Sequence, residues 1–304
     1  MAAEYRFRID ESLETGCRRI GLTLLNEVRA ELVAMKQPDA SIHHVRTRLK
    51  RFRALLRLFK TELGEENYYH TLTAIRDAGR QLSLIRDSYI LVDTIEDLWE
   101  DYYDFLAEGV FLNIRSRLKK RHERLLHELL EKEPLLEDLE VSVTSLMRPV
   151  KQWVFPNPGW ESCFEELNNV YKGGRKLMNI AWKDPDHAHL HEWRKKVKHL
   201  YYQCSFLHLL WPEMMDVYEN SLGDLQSLLG KDHDLALLSE TFDTDPKLLK
   251  DPKRKHILQH LIMQERRALQ SKAWPLGYQL YHEQPALFTQ RIRSYYEARR
   301  MERE

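Results

Sequence analysis

Cysteine is scarce. Cys17, Cys163 and Cys204 are the only three in a chain of 304 residues. That is too few for a disulfide framework, and they lack the C-x-x-C spacing of a structural metal site. They fit a reducing compartment, each as a small buried hydrophobe. No run of 18 apolar residues occurs, so no membrane-spanning helix is expected. The amino terminus, MAAEYRFRIDESLETG, carries acids where a secretory leader has its apolar core. These absences point to a cytoplasmic protein with no membrane partner. Net charge is missing too. Forty-seven basic and 47 acidic residues cancel, so composition alone makes no case for nucleic acid. Walker A, G-x-G-x-x-G, G-x-S-x-G and H-E-x-x-H patterns are absent, and no cysteine has the setting of a nucleophile. No catalytic residue is assigned, and an enzyme is not expected.

The charges that cancel globally are segregated locally, and local fields are what ligands feel. Residues 41–60, SIHHVRTRLKRFRALLRLFK, hold seven Arg or Lys and two His with no acid. On a helix of 3.6 residues per turn, Leu49, Phe52, Leu56 and Phe59 form an apolar stripe that can face a core. His43, Arg46, Lys50, Arg53 and Arg57 form a second stripe, because side chains three and four apart share a face. The result is a positively charged ladder about 30 Å long.

The rest of the chain reads as helices. One is expected from Glu11 or Ser12 to about Lys36, with Leu13, Ile20, Leu24, Val28 and Leu32 at helical spacing. Ser41 is the expected N-cap of the basic helix and Gly64 its end. A third helix is expected over 66–98 and a fourth over about 102–131, the latter carrying a second basic cluster at 115–124. Residues 148–160, RPVKQWVFPNPGW, have three Pro and one Gly and read as a linker or a rigid turn region between halves 1–150 and 151–304. Beyond it, helices are expected over 162–182, from Asp184-Pro185 to Leu210, from Pro212 to about Ser239, over 254–272 and over 284–302. Trp274-Pro275 and Gly277 are expected to interrupt the 254–272 helix, and the region 240–282 reads as irregular.

The two halves repeat. His43, Arg46 and Lys50 share their spacing with His191, Arg194 and Lys198, 148 residues later. Leu82, Arg86 and Asp87 match Leu229, His233 and Asp234 at an offset of 147. Self-similarity of this kind indicates duplicated units. The expected fold is all-α: two pseudo-symmetric bundles of about four helices each, packed as one unit, with the two basic helices on a common surface.

At these residues the sequence resembles the CHAD family, the conserved histidine α-helical domain. The resemblance is carried by His43, Arg46, Lys50, Arg51, Arg53, Leu56 and Phe59. It continues at Leu82, Arg86 and Asp87, with Ser83 where the family has Gly. In the second half it is carried by His191, Arg194, Lys195, Lys198 and Tyr202, then Leu229-Gly230 and Asp234. It covers nearly the whole chain. What it implies is an all-helical pair of bundles, a basic central surface and binding of inorganic polyphosphate. Some members are fused to a triphosphate-tunnel catalytic domain. The acidic ExExK segment of such a domain is not seen here, which argues against phosphohydrolase activity.

Physical chemistry supports the same ligand class. Polyphosphate carries about one charge per phosphate on a flexible chain with no base to stack. Its binder needs many Arg forks and Lys point charges along a groove. The expected ligands are His43, Arg46, Lys50, Arg51, Arg53, Arg57, Arg76, Arg80, His191, Arg194, Lys195 and Lys198. Structural roles are expected for Arg86, Asp87 and Asp234. No cofactor and no dedicated metal site are expected: His187 and His191 share a helical face, but His233 between Asp232 and Asp234 is a weak cluster. Divalent cations can arrive with the polyanion, and polyphosphate granules are the expected location. The alternatives are a nucleic-acid or scaffold protein using the same surface, and an accessory to phosphoanhydride metabolism.

Overall fold

The computed structural model describes residues 3–8, 10–103, 108–128, 130, 134–156 and 159–301. Among these residues there is no strand, and the elements are helices. In chain order they are α1 (Leu13–Ala34), α2 (Pro38–Leu58), α3 (Lys60–Gln81), α4 (Ser83–Tyr102), α5 (Glu108–His127) and α6 (Leu135–Lys151). The second half contributes α7 (Trp160–Lys183), α8 (His187–Phe206), α9 (Pro212–Thr244), α10 (Pro252–Tyr281) and α11 (Pro285–Met301). None is long and apolar enough to cross a membrane.

Local chemistry explains most of the boundaries. Ser12 caps α1 by accepting from the Thr15 N–H at 3.1 Å. Helix α2 begins at Pro38, before the expected Ser41 cap. A proline in the first turn gives up an N–H that would have no partner there anyway. Phe59 leaves helical geometry and turns α2 into α3. Gly64 therefore does not end the basic helix. It kinks α3 at φ 73°, a conformation that disfavours any side chain. The expected 66–98 helix is split at Leu82 into α3 and α4. Asp184 closes α7, and Asp186 caps α8 by accepting from the His189 N–H at 2.6 Å.

One expectation is narrowed and another fails. Residues 148–151 of the expected linker are the last turn of α6, and Trp153 and Phe155 beyond it are buried. The region 240–282 is mostly helical: α10 runs unbroken through Pro275 and Gly277. Tertiary packing overrides the local signal there. Trp274 stacks on the fully buried Trp193 (centroids 5.1 Å apart, 4° between planes), and Gly277 lies against the same indole.

Neighbour relations in the two halves correspond. Helix α1 packs on α2 as α7 packs on α8, α1 on α6 as α7 on α11, and α4 on α5 as α9 on α10. This is compatible with the internal repeat. One large core draws on both halves, including Leu24, Phe52 and Phe59 from the first and Phe164, Trp193 and Phe288 from the second. A smaller core joins Leu91, Ile95 and Phe111 of α4 and α5 to Leu238, Phe242 and Ile262 of α9 and α10. Each fully buried aliphatic or aromatic side chain in such cores stabilises by about 1.5–3 kcal/mol. Helices α2 and α8 pack against each other between the halves.

Candidate anion-binding site

The apolar stripes of the two basic helices go into the core. Leu49, Phe52, Leu56 and Phe59 are buried on the α2 side, and Trp193, Val197, Leu200 and Cys204 on the α8 side. Their charged stripes meet. Lys50 feels the charge of Lys198 ahead of those of Arg46, Arg194 and Arg53. Lys198 in turn feels Arg194, Arg46 and Arg53, with Asp234 opposing them. Burial first, and this crowd of like charges second, push the Lys198 ammonium down to about 7. Lys50 is driven well below its ordinary value by the same two causes. His199, one position after Lys198, is also held well below its usual value, by burial and then by Arg57, Arg53, Lys196 and Lys198.

The arginines are as poorly compensated as the lysines. The Nε atoms of Arg46, Arg51, Arg53, Arg57 and Arg194 are buried with no hydrogen-bond partner in the protein, as is His199 Nδ1. An unpaired buried donor costs about 1–3 kcal/mol, more when charged. Two unit charges 4 Å apart repel by about 4 kcal/mol at an effective dielectric constant near 20. Arg48, in the same helix, shows the contrast: it points to α1 and pairs with Glu27 and Glu31. Arg46 is only partly satisfied, donating through Nη1 to Gly79 O (2.5 Å) and Ser83 Oγ (2.9 Å).

Helix α3 forms a further wall. Arg76 and Arg80 border a depression of about 260 Å³ together with Arg46, Lys50 and Arg53. Arg76 also pairs with its neighbour Asp77 at 3.2 Å. Two carboxylates face the cluster. Asp87 of α4 lies toward Arg46, Lys50 and Arg86, and Asp234 of α9 toward Arg194, Arg86 and Lys50. Burial raises the pKa of both, against the pull of those cations. The Arg86 guanidinium lies over the Tyr89 ring, 5.0 Å from its centroid.

Other expected ligands are set apart. Arg51 stacks on Tyr5 (4.7 Å) and Tyr202 (5.6 Å). Lys195 is exposed and pairs with Glu192. His43 is exposed at the end of its ladder, near Arg86, Lys50 and Lys198. In the 115–124 cluster, Arg115 pairs with Glu96. His122 of that cluster is buried between Ser88 Oγ (2.9 Å) and the Asp39 carboxylate (3.0 Å). His199 belongs to neither basic ladder in the sequence. Its signal is its place one position after Lys198, which turns it toward Arg53 and Arg57.

The comparisons with known proteins come down on one family. The model of the CHAD domain matches residues 21–243. The chain belongs to the CHAD domain family. Two solved structures share the fold of this CHAD domain. The crystal structure of the CHAD domain from the plant Ricinus communis aligns with a TM-score of 0.71 at 16% identity, covering 92% of this chain and 95% of that one. PptA from Streptomyces chartreusis aligns at 0.61 with 12% identity, over 90% and 100% of the respective chains. No curated relative matches the chain.

Among the differences between the halves of this CHAD domain is one that lies near Arg194 and Lys50. Where the first half has Arg86, the second has His233. Its ring contacts both His191 and His187, with Nδ1 at 3.2 Å from His191 Nδ1 and 2.8 Å from His187 Nε2. Asp232, by contrast, turns away from this group to accept from Arg266 Nε (3.1 Å) and Gln270 Nε2 (2.8 Å).

Proposed function

We propose that this CHAD domain binds inorganic polyphosphate in the cleft where α2 and α8 meet, and that it acts as a binder, not as an enzyme. One observation carries the reading: on two facing helices the buried Nε atoms of Arg46, Arg53, Arg57 and Arg194 lack protein partners while two lysines are held below their ordinary pKa. That arrangement is unfavourable in itself and is relieved by an extended polyanion. Non-bridging oxygens can accept from the part-exposed guanidinium groups of Arg46, Arg53, Arg57 and Arg194, and a negative chain favours the charged forms of Lys50 and Lys198. Arg76 and Arg80 extend the track, and His43 and His191 stand at the ends of the two ladders. Divalent cations can accompany the polyanion. A cytoplasmic location at polyphosphate granules follows from this ligand.

Tyr202, the ring set among the arginines, is buried and covered by Arg51, so it offers no face on which a base could stack. This favours polyphosphate over RNA.

The test is titration with polyphosphate of defined length, comparing wild-type protein with an Arg46→Glu/Arg194→Glu double variant. A charge-assisted hydrogen bond is worth about 1.5–3 kcal/mol, so each reversal should cost roughly ten-fold or more in affinity. Helical content by circular dichroism should be retained. Unchanged affinity in the double variant would remove the cleft from the binding site, and phosphate release on incubation would contradict the non-enzymatic reading.

A further inference from the structure

A second cavity lies at the carboxyl end of α8. Its volume is about 420 Å³, and it opens where residues 3–8, the starts of α1 and α7, the turn after α8 and the end of α11 come together. Phe206, the last residue of α8, lines it and lies about 12 Å along the helix from Lys198. None of its lining residues belongs to the basic cluster of the cleft. The walls are apolar: Phe7, Leu13, Phe206, Leu207 and Leu210 are buried around it. Two aromatic rings at its mouth are only half-buried, Trp160 and Tyr296, with centroids 4.7 Å apart. Phe7 meets the Trp160 ring edge-on at 6.1 Å. The rim is charged, with one sign in excess. Arg8, Arg299 and Arg300 stand there with a single acid, Glu11. That acid is already engaged: Oε1 accepts from Arg8 N (2.7 Å) and Arg19 Nη2 (2.5 Å), and Oε2 from Arg19 Nε (2.9 Å). The Arg8 side chain is exposed and enters no ion pair among the described residues.

We infer that this cavity binds a small organic anion, an aromatic body seated against Trp160, Tyr296 and Phe7 with its carboxylate or sulfonate directed to Arg8. Protein interiors pack to the density of organic crystals, so an apolar hollow of this size is not ordinary packing. Cavities of about 300–1,000 Å³ with apolar and aromatic walls and a few placed charges are the usual form of small-molecule sites. The aromatic walls receive ring faces and edges. The Arg8 guanidinium offers a planar fork to an acid group. Each alternative occupant fails on one of these features. Polyphosphate has no apolar surface to set against the walls. An organic cation is repelled by the arginine rim. A neutral hydrophobe fits the walls and gains nothing from the rim, so the rim selects the anion among molecules of one shape. The cavity and its ligand are independent of the polyphosphate reading, because no residue of the cleft takes part.

The experiment titrates the full-length protein with anilinonaphthalene sulfonate, read by its fluorescence, and with N-phenylnaphthylamine as the uncharged counterpart of the same ring system. No polyphosphate is present, so the outcome does not depend on the cleft's ligand. One equivalent of the sulfonate should bind saturably and more tightly than the amine. Arg8→Glu should weaken the sulfonate roughly ten-fold and leave the amine unchanged. Leu209 lines the cavity and is half-buried, so Leu209→Trp puts bulk into it and should remove binding of both probes. Circular dichroism checks the fold of each variant. Should Leu209→Trp lose helical content, Arg8→Glu still decides, because it alters an exposed side chain. Absence of one-equivalent binding, equal affinity for sulfonate and amine, or unchanged sulfonate affinity in either folded variant would each overturn the assignment.

Discussion

Lys50 and Lys198 hold the most informative side chains of the site. Each is an amine forced toward its neutral form by burial and by like charges from the opposing helix. For stability the sign is direct. A lysine whose folded pKa lies below its unfolded value binds fewer protons when folded. Its contribution is therefore greatest above about 10.4 and declines as pH falls toward about 7, where Lys198 gains its proton. A polyanion reverses the effect by favouring the charged amines, so its binding should take up protons between about pH 7 and the ordinary lysine value of about 10.4. Affinity should fall as pH rises through that window. Calorimetry at pH 8 in two buffers of different ionisation enthalpy measures the uptake, and Lys198→Arg should reduce it. Buffer-independent heats would contradict the coupling. The ladder residues themselves were legible from spacing in the sequence. Their compensation was not: Arg48 and Arg46 look alike there, yet Arg48 meets Glu27 and Glu31 of α1 while Arg46 faces the cleft. Which acid lies across from a base is a tertiary fact.

Helices are legible where an apolar stripe runs uninterrupted, as in α1 and α2, and not where packing overrides the stop signal of a proline or glycine. Helix α10 shows why. Pro275 lacks a backbone donor and Gly277 has poor helix propensity, yet the helix continues because Trp193 and Trp274 stack at that turn. Glycine at 277 is there for room: a Cβ would lie 2.6 Å from Trp193 Cζ2 and 2.7 Å from Cη2. Gly277→Ala gains up to about 1 kcal/mol of helix propensity. It must also push a fully buried indole whose other face is covered by Trp274. Overpacking of this kind costs about 1–3 kcal/mol, so the expected net effect is a lower midpoint in urea. An unchanged or raised midpoint would show that Trp193 can shift freely. Since Trp193 directly precedes Arg194 on α8, the same variant should also weaken polyphosphate binding.

For the whole molecule, net charge was a poor guide and the repeat a good one. Forty-seven positive and 47 negative residues balance, yet the fold gathers positive charge from α2, α3 and α8 on one cleft and admits two carboxylates to it, Asp87 and Asp234. The spacing shared by His43–Lys50 and His191–Lys198 puts one basic helix in each half, α2 and α8. Their direct packing, and cores that both draw on the two halves, depended on contacts far apart in sequence. The central claim is that this cleft is built for a linear polyanion and not for any anion. The measurement that tests it most directly is a titration of the purified protein with polyphosphate of defined lengths at several salt concentrations, with RNA of equal charge as competitor. Affinity should rise with chain length, weaken with salt as counterions are released, and exceed that for RNA throughout. Binding that is indifferent to length, or RNA that competes on equal terms, would contradict the account and reduce the cleft to a general anion surface.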